Sequence, residues 1–214
     1  MALRRVLVVA GGEPPRPGLL RRLAREAELV LAVDGGLPLL QSVGLIPHRL
    51  IGDLDSLGAA DLPPGVAVER YPRDKDATDL ELALEYLLPL APEEVVLVGA
   101  LGRRLDHLVA TLGLLERYPW PMVVYHREEV LYAVSGPLSL PRASPGDRVS
   151  LLPLTGVVEG IHTQGLLYPL RGEALPRGST RGVSNQVVSL PCGVRFSRGR
   201  LLVVHAPARP RKEG

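Results

Sequence analysis

The sequence predicts an α/β fold: an N-terminal parallel α/β/α sheet domain followed by a small all-β sandwich or jelly-roll domain. Three observations carry that expectation. Continuous apolar runs closed by glycine alternate with amphipathic segments up to about residue 120, the pattern of a parallel sheet covered on both faces. Beyond that point the helical period disappears, and short alternating runs separated by Gly and Pro replace it. At 214 residues and 46% hydrophobic, the chain has ample apolar surface for a core. The boundary is read near Gly136, giving 1–135 as the α/β domain, 136–207 as the β domain and 208–214 as a disordered tail.

Each element follows from its local pattern. RRVLVVAGG (4–12) is an apolar run ended by glycines, as in a strand buried on both faces. PGLLRRLAREA (17–27) has helical spacing with Pro at its start, where the missing N–H is harmless. ELVLAVDGG (28–36) is a second strand, followed by a short helix through LPLLQSVG. RLIGDLDS (49–56) and VAVERYP (66–72) are the third and fourth strands. TDLELALEYLLPL (78–90) is a helix in which Thr78 and Glu81 have capping-box spacing. Its apolar face is read as Leu80, Ala83, Leu84, Leu87 and Leu88. EEVVLVGALG (93–102) is the fifth strand and LDHLVATLGLLERY (105–118) a further helix. In the β domain the expected strands are VSLLPL, VVEGIHT, GLLYPL, NQVVSLP and GVRFSRGRLLVVHA.

Composition excludes several classes. No apolar run approaches the roughly 18 residues of a bilayer span, and the apolar run in MALRRVLVVAGGEPP is too short for a signal peptide. A single cysteine, Cys192, rules out a disulfide framework and fits a reducing cytoplasm; a packed thiol is expected there. Arginine outnumbers lysine 23 to 2, yet 23 acidic residues and 4% aromatics argue against a nucleic-acid partner. The single Asn, three Gln and 21 Pro resemble a heat-adapted composition.

The acids are placed unevenly. Asp53 and Asp55 stand two apart at the end of the third strand, hence on one face of extended chain. Like charges that close repel unless a cation lies between them. Of nine aspartates, Asp34, Asp53, Asp55, Asp74, Asp76, Asp79 and Asp106 each adjoin a glycine, a strand end or a helix start. In an open parallel sheet the ligand site lies beyond the carboxyl ends of the strands. Asp34 follows strand two, Asp53 and Asp55 strand three, the DKDATD cluster strand four, and Arg103, Arg104 and Asp106 strand five. Turn or helix-end chemistry explains one such residue, not the convergence of four strand ends. Carboxylates suit Mg²⁺ shared with phosphate, and arginines suit phosphate oxygens. The chain lacks G-x-x-x-x-G-K-[ST], so it is no P-loop protein. Asp-x-Asp at a strand end also serves Mg²⁺-dependent phosphatases and sugar-nucleotide transferases, and a non-catalytic small-molecule- or nucleotide-binding sensor is a further alternative.

DGG (34–36), GDLDS (52–56), DATD (76–79), GALGRRLDH (99–107), GLLYPL (165–170) and GVSN (182–185) occur in that order. Over about residues 6–190 the chain thereby resembles the thiamine pyrophosphokinase family. The resemblance implies an ATP- and Mg²⁺-binding α/β domain, a thiamine-binding β-sandwich, and transfer of a pyrophosphoryl group from ATP to thiamine, giving thiamine diphosphate and AMP. It implies Asp53, Asp55 and Asp79 as Mg²⁺ ligands and Asp76 as a ligand or a neighbour of one. It further implies Asp34, Thr78 and Arg103 on the nucleotide side, with Arg104 and Asp106 in the site. Arg103 occupies the second glycine of the family's GGRxDH pattern, and Tyr168 the position of its thiamine-stacking Trp. Ser184 and Asn185 match its closing SN, where an amide suits an aminopyrimidine edge. Asp76 and Asp106 are the candidate general bases. A cytoplasmic homodimer with shared active sites is implied too, with thiamine and ATP as partners and no membrane. His107 is expected to pack or cap, and His48, His126, His162 and His205 have no zinc-ligand spacing.

Overall fold

The computed structural model describes residues 3–53, 62–102 and 104–208. Two compact units emerge, Met1–Arg127 and Glu128–Gly214. The division falls ahead of the boundary read near Gly136, because Glu129–Val134 pairs along its length with Leu201–Ala206. Asp55 and Arg103, and all of the expected tail but Ala208, lie outside the described residues.

The first unit runs β1 (Arg5–Val9), α1 (Pro17–Glu26), β2 (Leu29–Val33), α2 (Gly36–Gln41), β3 (Arg49–Gly52), β4 (Ala67–Arg70), α3 (Asp79–Leu87), β5 (Glu94–Val98), α4 (Leu105–Arg117) and β6 (Met122–His126). The strands form a parallel sheet in the order β6-β5-β1-β2-β3-β4. Val6–Val9, Val30–Val33 and Val95–Val98 are buried, as apolar runs flanked by helices on both sides must be. β4 is the edge strand and mostly exposed, which accounts for its charged residues. The order reverses between β1 and β5, and at such a switch point the loops diverge and leave a crevice at the carboxyl ends. Thr78 caps α3 by accepting the Glu81 N–H (3.2 Å), while the Glu81 carboxylate is taken by Arg117 instead of returning to the cap. Leu82, Ala83, Leu84 and Leu87 are buried on α3. Leu88, expected on that face, opens a 3-10 turn (Leu88–Leu90) that rotates it outward, leaving it 48% exposed.

The second unit is antiparallel. One sheet is β12 (Asn185–Gln186), β9 (Arg148–Pro153), β14 (Leu201–Ala206) and β7 (Glu129–Val134). The other is β11 (Arg171–Pro176), β10 (Val157–Gln164), β13 (Gly193–Arg195) and β8 (Leu138–Ser139). Val149, Leu151, Leu201 and Val203 of the first sheet share a buried core with Val158, Ile161, Leu175 and Val194 of the second, a sandwich. GLLYPL contributes one isolated bridge, Leu166 to Val187, where a strand was expected. Of NQVVSLP only Asn185–Gln186 is a strand, and GVRFSRGRLLVVHA breaks into β13 and β14. β11 has no alternation to announce it in RGEALP. Among the described residues, no helix is long and apolar enough to cross a membrane.

A buried pair secures the end of β14. Asp147 accepts from His205 Nε2 (2.8 Å), Ala208 N (2.8 Å) and Ser144 N (2.9 Å). Burial pushes the Asp147 carboxyl up, but these hydrogen bonds outweigh it and hold the pKa below the ordinary value. A depressed carboxylate stabilises the fold above its unfolded pKa of about 4, and that share is lost as pH falls through the folded value. Asp147→Ala is expected to cost about 3–5 kcal/mol in urea denaturation at pH 7. The gap from wild type should narrow on acidification below pH ~4; a gap independent of pH would refute the account.

Candidate active site

The carboxyl ends of β1, β2, β3 and β5 surround a cleft of about 680 Å³. Gly11, Gly12, Gly35, Gly99 and Gly102 are part of its lining. Gly12 N donates to Gly99 O (2.8 Å), and a Cβ on Gly12 would stand 2.3 Å from that oxygen, so only glycine lets the β1 and β5 loops close together. Across the cleft, Gly52 has φ +153°, and a Cβ there would meet Asp34 Cβ and Asp79 Oδ1, each at 3.4 Å. Glycine suits that positive φ, and the 3.4 Å spacings are ordinary contacts that bring Asp34 and Asp79 to the end of β3. Asp34 itself holds a left-handed φ of +41°, an uncommon state for a non-glycine residue, with its N–H on Ile51 O (3.0 Å). Strain of this kind aims a side chain and concentrates at functional sites.

Asp34, Asp53, Thr78, Asp79 and Arg104 line the cleft, as the strand-end argument requires. Asp76 does not: it is exposed on the loop before α3 and does not line the cleft. Asp106 is also absent from the lining. It forms an exposed ion pair with Arg104 (2.6 Å) and accepts the His107 N–H. The Arg104 guanidinium, helped by that N–H, brings its pKa down to about 2. At neutral pH that carboxyl is ionised and paired with Arg104. His107, expected to pack or cap, is exposed and lines the cleft.

A cation between the acids is present, and it is one that the sequence reading passed over. Lys75 Nζ lies 3.0 Å from Asp79 Oδ1 and 3.6 Å from Asp53 Oδ2, with its side chain only 13% exposed. Burial pulls the ammonium's pKa down, but the negative charges of Asp79 and Asp53 beside it outweigh that and hold it above the ordinary value. Composition contained a signal: of two lysines in the chain, one stands inside the DKDATD cluster. Asp79 Oδ1 is buried and accepts no hydrogen bond of regular geometry, so its contact with Lys75 is an ion pair. Among the described residues, no three acidic, Cys or His groups gather tightly enough to hold a metal by themselves.

In the second unit, Tyr168 is 68% exposed. Asn185 is 7% exposed, and its amide is already engaged. Nδ2 donates to Tyr168 O (2.7 Å), while Oδ1 accepts Tyr168 N (3.0 Å) and Gln186 N (2.9 Å). It clamps the Tyr168 main chain, so the amide's hydrogen bonds here go to main chain. Ser184 adopts φ +59° and donates its N–H to Ser150 Oγ (3.0 Å). Cys192 is buried, and burial raises its thiol pKa.

A parallel sheet with a glycine-containing cleft at its switch point and acids on adjoining strand ends, joined in sequence to a β-sandwich, defines an α/β enzyme of phosphate chemistry. Residues 20–124 match the catalytic domain of thiamin pyrophosphokinase, and residues 138–201 match its vitamin B1 binding domain. The chain belongs to the thiamin pyrophosphokinase family, and its reaction is pyrophosphoryl transfer from ATP to thiamine. Thiamine pyrophosphokinase of Bacillus subtilis is 24% identical over 95% of this chain and 99% of its own length. The crystal structure of the Bacillus subtilis protein has the same fold, with a TM-score of 0.80 at 23% identity, covering 96% of this chain and all of that one. That of thiamin pyrophosphokinase from Geobacillus thermodenitrificans is 31% identical with a TM-score of 0.78, over 95% of this chain and 97% of that one.

Proposed function

We propose that the cleft takes ATP with Mg²⁺ and that Asp53 and Asp79, together with Asp55, hold the metal. One observation carries this reading: Asp34, Asp53 and Asp79 converge on a glycine-containing cleft at the switch point of the sheet. The donor set fits a hard cation, because Asp79 Oδ1 is a buried carboxylate oxygen without a regular hydrogen bond, and Asp53 shares its ion-pair partner. Bound there, Mg²⁺ supplies charge neutralisation to the polyphosphate. The chain does the rest by positioning, since a loose phosphoryl-transfer transition state asks for little covalent chemistry from the protein. The main chain at Gly11, Gly12 and Gly99 lets phosphate approach without a side chain in the way. The Thr78 hydroxyl, an acceptor for Glu81 N, still has its own hydrogen to donate to a phosphate oxygen. Arg104, at the mouth of the cleft, meets charge developing on the leaving AMP. Tyr168 stacks on thiamine, held by Asn185 beside Ser184.

The active species is a cytoplasmic homodimer in which Asp53 and Asp79 of one subunit are completed by Tyr168, Ser184 and Asn185 of the partner subunit. Exposed apolar side chains at Leu167, Tyr168, Val183 and Val188 support a surface that is covered in an assembly. Protein mixed with Mg²⁺, ATP and thiamine should yield thiamine diphosphate and AMP in equal amounts by chromatography. Free phosphate without thiamine diphosphate would indicate a phosphatase instead. For the shared site, Asp53→Asn and Asn185→Ala proteins are mixed under subunit exchange and assayed at low thiamine. Half the dimers are then mixed, each with one intact site, so about a quarter of wild-type activity returns. A mixture as inactive as its parents would mean that each subunit completes its own site.

A further inference from the structure

Lys75 sits between the two carboxylates proposed above as metal ligands. Its ammonium faces Asp79 at 3.0 Å and Asp53 at 3.6 Å from the loop between β4 and α3, inside the cleft lining. Two like charges this close to one cation are satisfied without a metal, and a divalent ion arriving alone meets a positive charge among its own ligands. A lysine carries its charge on a flexible four-carbon stem, so it can move aside when another anion receives it. The anion that belongs in the cleft is polyphosphate.

We propose that Lys75 is the resident counter-ion of the Asp53–Asp79 pair, displaced by the divalent cation and rehoused on nucleotide phosphate, so that metal and nucleotide bind as a coupled pair. The inference rests on Asp53 and Asp79 being the metal ligands. Coupling between two ligands of one site typically changes each affinity about 5–150-fold, equally in both directions. Lys75 acts here as a positioning residue: its removal weakens the bond between metal and nucleotide binding while strengthening that of the metal alone. A purely structural lysine would do neither.

The test measures Mn²⁺ binding to the full chain by electron paramagnetic resonance, with and without a non-hydrolysable ATP analogue. Wild type should bind Mn²⁺ weakly alone and about 5–150-fold more tightly with the analogue. Lys75→Met should bind Mn²⁺ alone on the order of 10-fold more tightly than wild type and lose most of the dependence on nucleotide. Lys75→Arg, which keeps the charge, should retain the wild-type pattern. Without divalent ions Lys75→Met should also melt below wild type, because its two carboxylates face each other, and Mn²⁺ should restore it. Equal Mn²⁺ affinity in wild type and Lys75→Met overturns the proposal, as does a Lys75→Met protein that stays unfolded at saturating Mn²⁺. Asp79→Asn separates the underlying reading: if it binds Mn²⁺ with nucleotide as wild type does, the ligand assignment itself fails.

Discussion

Asp53→Asn and Asp79→Asn each lose thiamine diphosphate formation by ~10²–10³-fold or more while the protein remains folded. The size follows from the job: groups that fix charge on a transferring phosphoryl are worth that much singly, and an amide is a far poorer ligand for a hard cation. The fold survives because neither residue belongs to the buried apolar core, and Asp79 contributes to α3 mainly as an acid in its first turn, worth about 0.3–1 kcal/mol. Removing one of two facing carboxylates would raise the melting temperature if they only repelled each other. Lys75 already offsets that repulsion, so no such gain is expected. Wild-type turnover in either variant at saturating Mg²⁺ would rule out the assignment.

Asn185→Ala should damage thiamine binding more than removing the aromatic it supports. The amide satisfies both the N–H and the C=O of Tyr168, and the N–H of Gln186, from a nearly buried position. Truncation strands these groups, at about 1–3 kcal/mol for each that water cannot reach, and frees the Tyr168 main chain. The Michaelis constant for thiamine should rise ~10–100-fold, that for ATP should hold, and stability should fall. Tyr168→Ala loses only a stacking contact of ~0.5–2 kcal/mol, so the thiamine constant should rise about 2–30-fold with stability nearly unchanged. A defect of equal size toward ATP in either variant would mean that these residues support the fold rather than the substrate.

The site's acids could be found from sequence because a strand buried on both faces reads as an unbroken apolar run, and the glycine that ends it locates the carboxyl end. Asp34 and Asp53 are marked in this way by Val30–Val33 and Leu50–Ile51. Direction is what sequence withholds. Lys75 and Asp76 are neighbours in one polar cluster, yet the lysine turns into the cleft and Asp76 does not, through loop geometry with no period to read. Asp106 has the spacing of a site residue and spends its charge on Arg104 two positions away. Asn185 announced itself as the chain's only asparagine, but whether its amide faces ligand or main chain depends on the register of β12 against β9, which a two-residue strand cannot signal. The second unit was legible as a class and not strand by strand, since RGEALP lacks alternation and the two short sheets are fixed by long-range pairing.

The scarcity of lysine gives this cleft a built-in spectroscopic handle. The chain's primary amines are Lys75, Lys212 and the α-amine, against 23 guanidinium groups that aldehydes leave alone under reductive conditions. Reductive methylation with ¹³C-formaldehyde therefore writes a handful of resonances, one of them inside the cleft. Methylated lysine keeps its positive charge. Its chemical shift becomes a running report on which anions surround the ammonium, from carboxylates before nucleotide arrives to phosphate afterwards, in a protein whose sequence has not been altered at all.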